Sequence, residues 1–420
     1  MFFMVVTMNL KNLKYFVQYR LRIPISIIML CILFVSCEYF STKPYDQKKQ
    51  WTIMLYIDED TSPISAGRFH HMKNILRSSE FIDVVVLEDQ SGKTANYWYL
   101  DKEYESVLLE QLPEVNMGDY HTLYDFVKYS KDYFPAHRYL LVLYDHGGAW
   151  QGACWDQSHN MDNLKPIEIE IALKANRGVD ITLLVACTMG AIEPIYQLCD
   201  VTDVYIGSEN AAFYEFFGRA WDEIISMLTL NFLKDTEWLG NEIVNAIWNA
   251  EGVNIEEQIP EMTISAIRTK VAPSLIGMID DVSKSYLENF ANFKTNLDNI
   301  LPTIKYNRAN KVDFYDLIYL LHIEEKDHDL KAQLLEILNI SNQMIINEKH
   351  GTVVEFSHGF SIYLPIPDIE SYNQYYSSSE LGLKFAYNTH WDELLERYYQ
   401  ESDYTFISKN SVLPLPSNFE

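Results

Sequence analysis

The chain has 420 residues and a mass of 49.1 kDa, and with 48% hydrophobic and 22% charged residues it holds apolar material for one large core or two ordinary ones. Disorder, a collagen-like fibre and a small disulfide scaffold are excluded. Asp and Glu number 59 against 33 Lys and Arg, a net charge of −26 that repels phosphate backbones, so no nucleic-acid partner is expected.

The chain opens with Lys11, Lys14, Arg20 and Arg22, no acidic residue, and then the apolar run IPISIIMLCILFVS. That run falls short of the roughly 20 residues a spanning helix takes. A basic start, a short apolar stretch and the small Ser36 fit an export signal over residues 1–36, with an uncleaved anchor helix as the alternative. Phe34-Val35-Ser36-Cys37 resembles a bacterial lipobox, with Phe34 where Leu is usual. Cys37 is therefore the expected lipidation site, and residues 37–50 a tether. The expected location is the bacterial cell envelope, held to the membrane by the amino-terminal lipid, with plain secretion as the alternative. Loss of residues 1–36 takes four basic side chains and no acid, which carries the net charge to −30. Cys154, Cys187 and Cys199 then remain, an odd number that leaves one disulfide plus a free thiol, or no disulfide. No CxxC, HExxH or spaced Cys/His quartet is present, so no metal site is expected.

Beyond Pro44, short β-branched runs alternate with amphipathic stretches. WTIMLYID (51–58), DVVVLED (83–89), RYLLVLYD (138–145), DITLLVA (180–186) and DVYIGS (203–208) are apolar almost throughout, as strands covered on both faces should be. Helical patterns lie between them at 64–77, 119–134, 166–176 and 189–199. This alternation implies an α/β fold with a mostly parallel, doubly wound sheet, whose loops at the carboxyl ends of the strands carry the chemistry. From about 217 the pattern turns helical (217–230, 234–249, 273–300, 312–322, 329–346), interrupted by MTISAIRT (262–269). GFSIYLP (360–366) reads as a late strand and HWDELLERYYQ (390–400) as a helix. The expected organisation is a core over 51–230 and a largely helical region over 231–420 that returns a late strand to that core.

Three loops stand where such folds place function. After RYLLVLYD come His146, Gly147 and Gly148; glycines let backbone N–H groups approach a ligand, and His moves protons near neutral pH. Taken alone, the same residues describe a strand-end turn with a solvated His. After DITLLVA comes Cys187, expected at the start of a helix, where the helix dipole favours a thiolate. A buried structural Cys is the bland alternative. Consecutive strands are often neighbours, so His146 and Cys187 would face each other across one crevice, as a nucleophile and its acid/base partner require. Ser208 and Glu209, after DVYIGS, would flank that crevice or form a plain turn.

Across roughly residues 50–400 the sequence resembles the clostripain-like cysteine peptidases, a family with a caspase-like α/β/α fold. The resemblance rests on WTIMLYIDED, on VNMGDYHTLYDFVKYSKDYFPAHRYLLVLYDHGGAW, on LLVACTMGAIEPIYQL, and on GFSIYLP followed by HWDELL. It implies a cysteine endopeptidase acting on peptides or proteins. In that reading Cys187 is the nucleophile, His146 the catalytic histidine, and the N–H groups of Gly147 and Cys187 the oxyanion hole. No cofactor is expected, and the sequence carries no signature for or against calcium.

Two positions depart from the family pattern. Ala149 stands where the family has Gly. Val185 stands where the family has an Asp at the base of the S1 pocket, an acid that pairs with a basic P1 side chain. An uncharged P1 residue is therefore expected, with Val185, Ser208 and Glu209 as S1 candidates and Glu209 as the acid able to restore basic selectivity. Loss of the S1 acid also leaves open a catalytically silent surface lipoprotein that serves as a binding module.

Overall fold

The structure is a computed structural model that describes residues 48–59, 76–103, 106–212, 214–252, 254–307, 310–364 and 382–402. The export signal, Cys37, the tether up to residue 47 and most of the helix expected over 64–77 lie outside the described residues.

Strands β1 (Lys49–Asp58), β2 (Ile82–Asp89), β3 (Asn96–Leu100), β4 (Ser106–Gln111) and β5 (Ala136–Tyr144) come first, followed by the short hairpin β6 (Ala153–Asp156) and β7 (Asp162–Leu164). Then come β8 (Val179–Val185), β9 (Thr202–Gly207), β10 (Thr263–Arg268), β11 (Tyr306–Asn307), β12 (Lys311–Asp313), β13 (Ile345–His350) and β14 (Ser361–Tyr363). Nine of them form one sheet in the order β13-β10-β9-β8-β5-β1-β2-β3-β4. Its middle five strands, β2, β1, β5, β8 and β9, are parallel, and they are the five apolar runs of the sequence. Two antiparallel strands extend each side.

Burial on both faces accounts for those apolar runs. Ile53, Leu55, Val142, Leu183 and Ile206 share an apolar cluster with Phe217, Trp221, Ile243 and Ile247, from helices Tyr214–Leu230 and Thr236–Trp248. On the other face, helix Tyr120–Tyr133 buries Leu123, Phe126, Val127 and Ser130, the i, i+3, i+4, i+7 stripe of an amphipathic helix. Phe126 lies 6.0 Å from the ring of Tyr56, whose hydroxyl donates to the Met117 carbonyl at 2.8 Å. Asp119 caps this helix by accepting the His121 N–H, a device that contributes about 1 kcal/mol.

The carboxyl-terminal region departs from expectation in where its strands go. Strand β14 does not join the large sheet; it pairs with β12, which also pairs with β11. The strands of this region that join the large sheet are β10 and, beside it, β13, where the helical pattern was expected to run on to 346. Helix His328–Met344 stops one residue before it. Strand β14 still reaches the core, because the Ser361 N–H donates to the Gly190 carbonyl at 2.9 Å.

Candidate active site

Strands β5 and β8 run side by side and end in register with Tyr144 opposite Val185, and His146 and Cys187 each follow two residues past that last pair. The loops they enter are in contact. A β-carbon at Gly147 would lie 2.3 Å from the Cys187 carbonyl oxygen and 2.9 Å from the Ala186 β-carbon, closer than side-chain atoms pack, so only glycine fits. Both His146 and Cys187 are half-buried.

The hairpin β6–β7 holds the His146 loop. The His146 carbonyl accepts the Cys154 N–H at 3.2 Å, the Gly148 N–H donates to Gly152 at 2.8 Å, and Asp145 accepts the Trp155 N–H at 2.8 Å. Ala149 at the foot of this loop takes φ 57°, a left-handed conformation that glycine would adopt more readily. Trp150 meets the ring of Tyr363 edge-on at 5.5 Å, which ties the loop to β14.

The Cys187 loop is held from two sides. Thr188 sits at φ 61°, a costly conformation for a β-branched residue, and the strain is held by neighbours: its N–H donates to Asn210 at 2.7 Å and its hydroxyl to Gly147 at 3.3 Å. The Gly190 N–H donates to Ser208 at 2.7 Å. The chain therefore turns before it winds, and the next helix is the six-residue Ile192–Gln197. This corrects the expected helix over 189–199: Cys187 precedes the helix Ile192–Gln197 rather than starting it. The donor in place is the Ala212 N–H, 3.4 Å from Sγ. Among the described residues, the N–H groups of Gly147 and Cys187 have no acceptor.

The three residues expected around S1 are all buried. Val185 is 2% exposed and belongs to the same apolar cluster as Tyr144, Ala212 and Phe217, against which Cys187 also packs. Ser208 spends its hydroxyl on the Ala211 carbonyl at 2.9 Å and on Thr263 at 2.8 Å. Glu209 accepts the Gly359 N–H at 2.8 Å, and burial, followed by the charge of Asp313, pushes its carboxyl well above the ordinary value. Asp313 in turn accepts from the His358 N–H at 2.7 Å and lies 3.1 Å from its ring nitrogen. The Glu209 carboxylate is thus committed to the carboxyl-terminal region.

Sequence reasoning missed what that region brings to the site. Lys311, on β12, is 1% exposed, and burial pushes its ammonium down to about 8 against the opposing charges of Glu193 and Cys187. Nothing local in KVDFYDLIYLL marks this lysine. Among the described residues Cys154, Cys187 and Cys199 are free thiols; burial pushes Cys154 well above its usual range and Cys199 to about 11. Among the described residues one group, Glu114, Asp156 and His159, has metal-ligand composition, with ligand atoms within 4.8 Å of one another. The imidazole of His159 already lies between the two acids, 3.4 Å from Glu114 and 3.1 Å from Asp156, and Asp156 also accepts the Met117 and His159 N–H groups, so the acids already have partners within the protein. Among the described residues, no helix is long and apolar enough to cross a membrane.

Comparison with known proteins agrees with this layout. The family model of peptidase C11, the clostripain family, matches residues 56–398. Clostripain of Hathewaya histolytica is 24% identical over 427 residues, covering 81% of this chain and 79% of that protein. Two solved structures each match with a TM-score of 0.61 at 16% identity, covering 82% of this chain and 99% of theirs. One is a secreted C11 cysteine protease from Bacteroides thetaiotaomicron in complex with an irreversible peptide inhibitor, the other an inactive zymogen C11 protease from Parabacteroides distasonis. The structural likeness shows the fold, the caspase-like α/β/α sandwich with a mostly parallel sheet that the sequence motifs implied. With the family model matched over most of its length, the chain belongs to the clostripain family of cysteine-type endopeptidases.

Proposed function

We propose that this endopeptidase is exported, is held to the envelope membrane by a lipid on Cys37, and cleaves peptide bonds with Cys187 as nucleophile and His146 as acid and base. The observation that supports the reading is that β5 and β8 end in register, with His146 and Cys187 each two residues past the last pair, on loops that meet at Gly147 and Cys187. The Cys187 thiolate attacks the scissile carbonyl and forms a C–S bond. The resulting oxyanion takes hydrogen bonds from the Gly147 and Cys187 N–H groups, both without acceptors in the described structure. Protonated His146 gives its proton to the leaving amine as the C–N bond breaks. Water then attacks the thioester while His146 takes a proton from it, releasing the acid product and regenerating the thiolate.

Export and lipidation are supported by the sequence of residues 1–37, and export also by the secreted relative from Bacteroides thetaiotaomicron. The P1 preference follows from Val185 and Glu209. A basic side chain beside Val185 meets an apolar surface, and the Glu209 carboxylate is engaged with Gly359 and Asp313. An uncharged P1 residue, aliphatic or aromatic, is the best fit.

The test is peptide hydrolysis by the purified Cys187→Ala and His146→Ala variants. Both residues sit in loops, so both variants keep a cooperative melt while kcat/KM falls by about a thousandfold or more. Wild-type turnover in either folded variant removes the dyad. A wild-type chain inert toward every peptide tested would make it a binding module instead.

A further inference from the structure

Beside the amino ends of β1 and β5, one turn is built outward. Helix Tyr214–Leu230 ends there, and the chain turns over 231–234 before helix Thr236–Trp248, with the Lys234 N–H donating to Asn231 at 2.9 Å. The inner side of the turn is fixed. Phe232 stacks on Phe81 with ring centroids 5.0 Å apart, and the Phe232 and Lys234 carbonyls both accept from the Arg138 guanidinium. The Phe81 carbonyl in turn accepts the Gln50 N–H at 2.9 Å, Arg138 pairs with Trp51 across the sheet, and the Ser79 and Thr229 hydroxyls lie 3.2 Å apart. The outer side is bare: Leu230 is 80% exposed and Leu233 84%. Two leucines on one fixed turn, with Phe232 tucked inward beside them, make an apolar tip that stays out of the core.

We propose that this tip enters an anionic lipid bilayer beside the anchor and sets the orientation of the enzyme on the membrane. Three observations favour a bilayer over another occupant. The first is where the chain leads: β1 starts at Lys49, and Cys37 precedes Lys48 by eleven residues, at most about 40 Å of chain. The second is charge. The tip and the residues bonded to it carry Lys48, Lys49, Arg138 and Lys234 against Glu80 and Asp235, in a mature chain whose net charge is −30. Anionic headgroups attract such a cluster while the leucines pass below them. The third is size and symmetry: a second copy docked by the same face would bring these cations together, and two leucines on a turn bury far less than a stable dimer needs.

Strands β1 and β5 run parallel, away from the tip and toward the catalytic loops. His146 follows Arg138 by eight residues, about 26 Å of strand. With the tip in the bilayer, the crevice faces away from the membrane and takes soluble peptides rather than segments lying on the lipid surface. The inference rests on the proposed membrane attachment and adds to it a second contact and a direction.

The test is tryptophan fluorescence of the full chain, purified from membranes and reconstituted into vesicles of phosphatidylcholine and phosphatidylglycerol. Acyl chains carrying bromine quench an indole that reaches them. Leu233→Trp adds fluorescence over wild type that is quenched about twofold or more, as expected for a side chain about 5–10 Å below the surface. Met161→Trp, between the two strands of the hairpin that holds the His146 loop, adds fluorescence that is not quenched. Both replaced side chains are exposed, so both variants fold, and Leu230→Trp repeats the reading at the other leucine. No quenching at either leucine position, or equal quenching at Met161, overturns the inference. So does a dimer in sedimentation that the paired Leu230→Ser and Leu233→Ser changes dissociate, since a second copy would then cover the tip. Cys37→Ser separates the two claims. Wild type that is bound with the leucine positions unquenched sinks the tip alone, and Cys37→Ser that stays bound with Leu233→Trp quenched sinks the lipid on Cys37 alone.

Discussion

Gly147 and Cys187 are in backbone contact: a β-carbon on the glycine would stand 2.3 Å from the cysteine carbonyl oxygen. The atom in the way is backbone, so relief requires the His146 loop to move against the Cys187 loop. A displacement of about 1 Å near the reacting atoms costs on the order of a hundredfold in rate. Gly147→Ala is therefore expected to lower kcat/KM by about a hundredfold. The loss of stability is only about 1–3 kcal/mol, the usual range for overpacking. Kinetics and a thermal melt on the same sample check it; near wild-type activity would mean that the loops do not meet this way.

Glu209 gives a prediction about pH and stability. Burial and Asp313 raise its folded-state carboxyl well above 4.5, so the folded state holds the proton more tightly than the unfolded chain. The stability it contributes is fully present below about pH 4.5 and is lost as pH rises toward the folded-state value. Gln is neutral throughout and keeps an oxygen for the Gly359 N–H. The Tm of Glu209→Gln relative to wild type should accordingly rise between pH 5 and pH 8; a constant or falling difference contradicts the burial of an acid there.

The P1 preference is checked with matched peptides ending in Arg, Leu and Phe. An unpaired buried charge costs about 3–5 kcal/mol, which at about 1.4 kcal/mol per tenfold is two or more orders of magnitude in discrimination. Leu or Phe should exceed Arg in kcat/KM by about a hundredfold. Glu209→Gln should leave this ratio unchanged, since its carboxylate is held by Gly359. Arg favoured in wild type and disfavoured in Glu209→Gln would place the acid in the pocket after all.

Anchoring is checked by fractionation. Cys37→Ser should move the protein from the membrane to the soluble fraction while peptidase activity stays the same. Unchanged partitioning, or a mature chain that starts elsewhere by mass spectrometry, contradicts lipidation at Cys37.

The parallel centre of the sheet was legible because strands buried on both faces must be apolar on both, and β1, β2, β5, β8 and β9 are. The outer strands lacked that signature. Strand β4 exposes Val107 and Leu108, and β13, IINEKH, is half-buried throughout and follows directly on a helix. The His146 and Cys187 loops were legible as strand ends. The turn after Cys187 was not, because it depends on Asn210 and Gly147 holding Thr188 in a conformation its own sequence disfavours. Lys311 and Asp313 were illegible for a related reason: they reach the site by a late return of the chain that no local periodicity encodes.

The most direct test of the account is covalent labelling of the full chain with a peptidyl chloromethyl ketone bearing Leu or Phe at P1. Mass spectrometry should find one adduct, on the peptide that carries Cys187, formed in step with loss of activity. Labelling should disappear in Cys187→Ala and slow sharply in His146→Ala. An adduct on Cys154 or Cys199, or inactivation that leaves Cys187 unmodified, would contradict the assignment of Cys187 as the nucleophile.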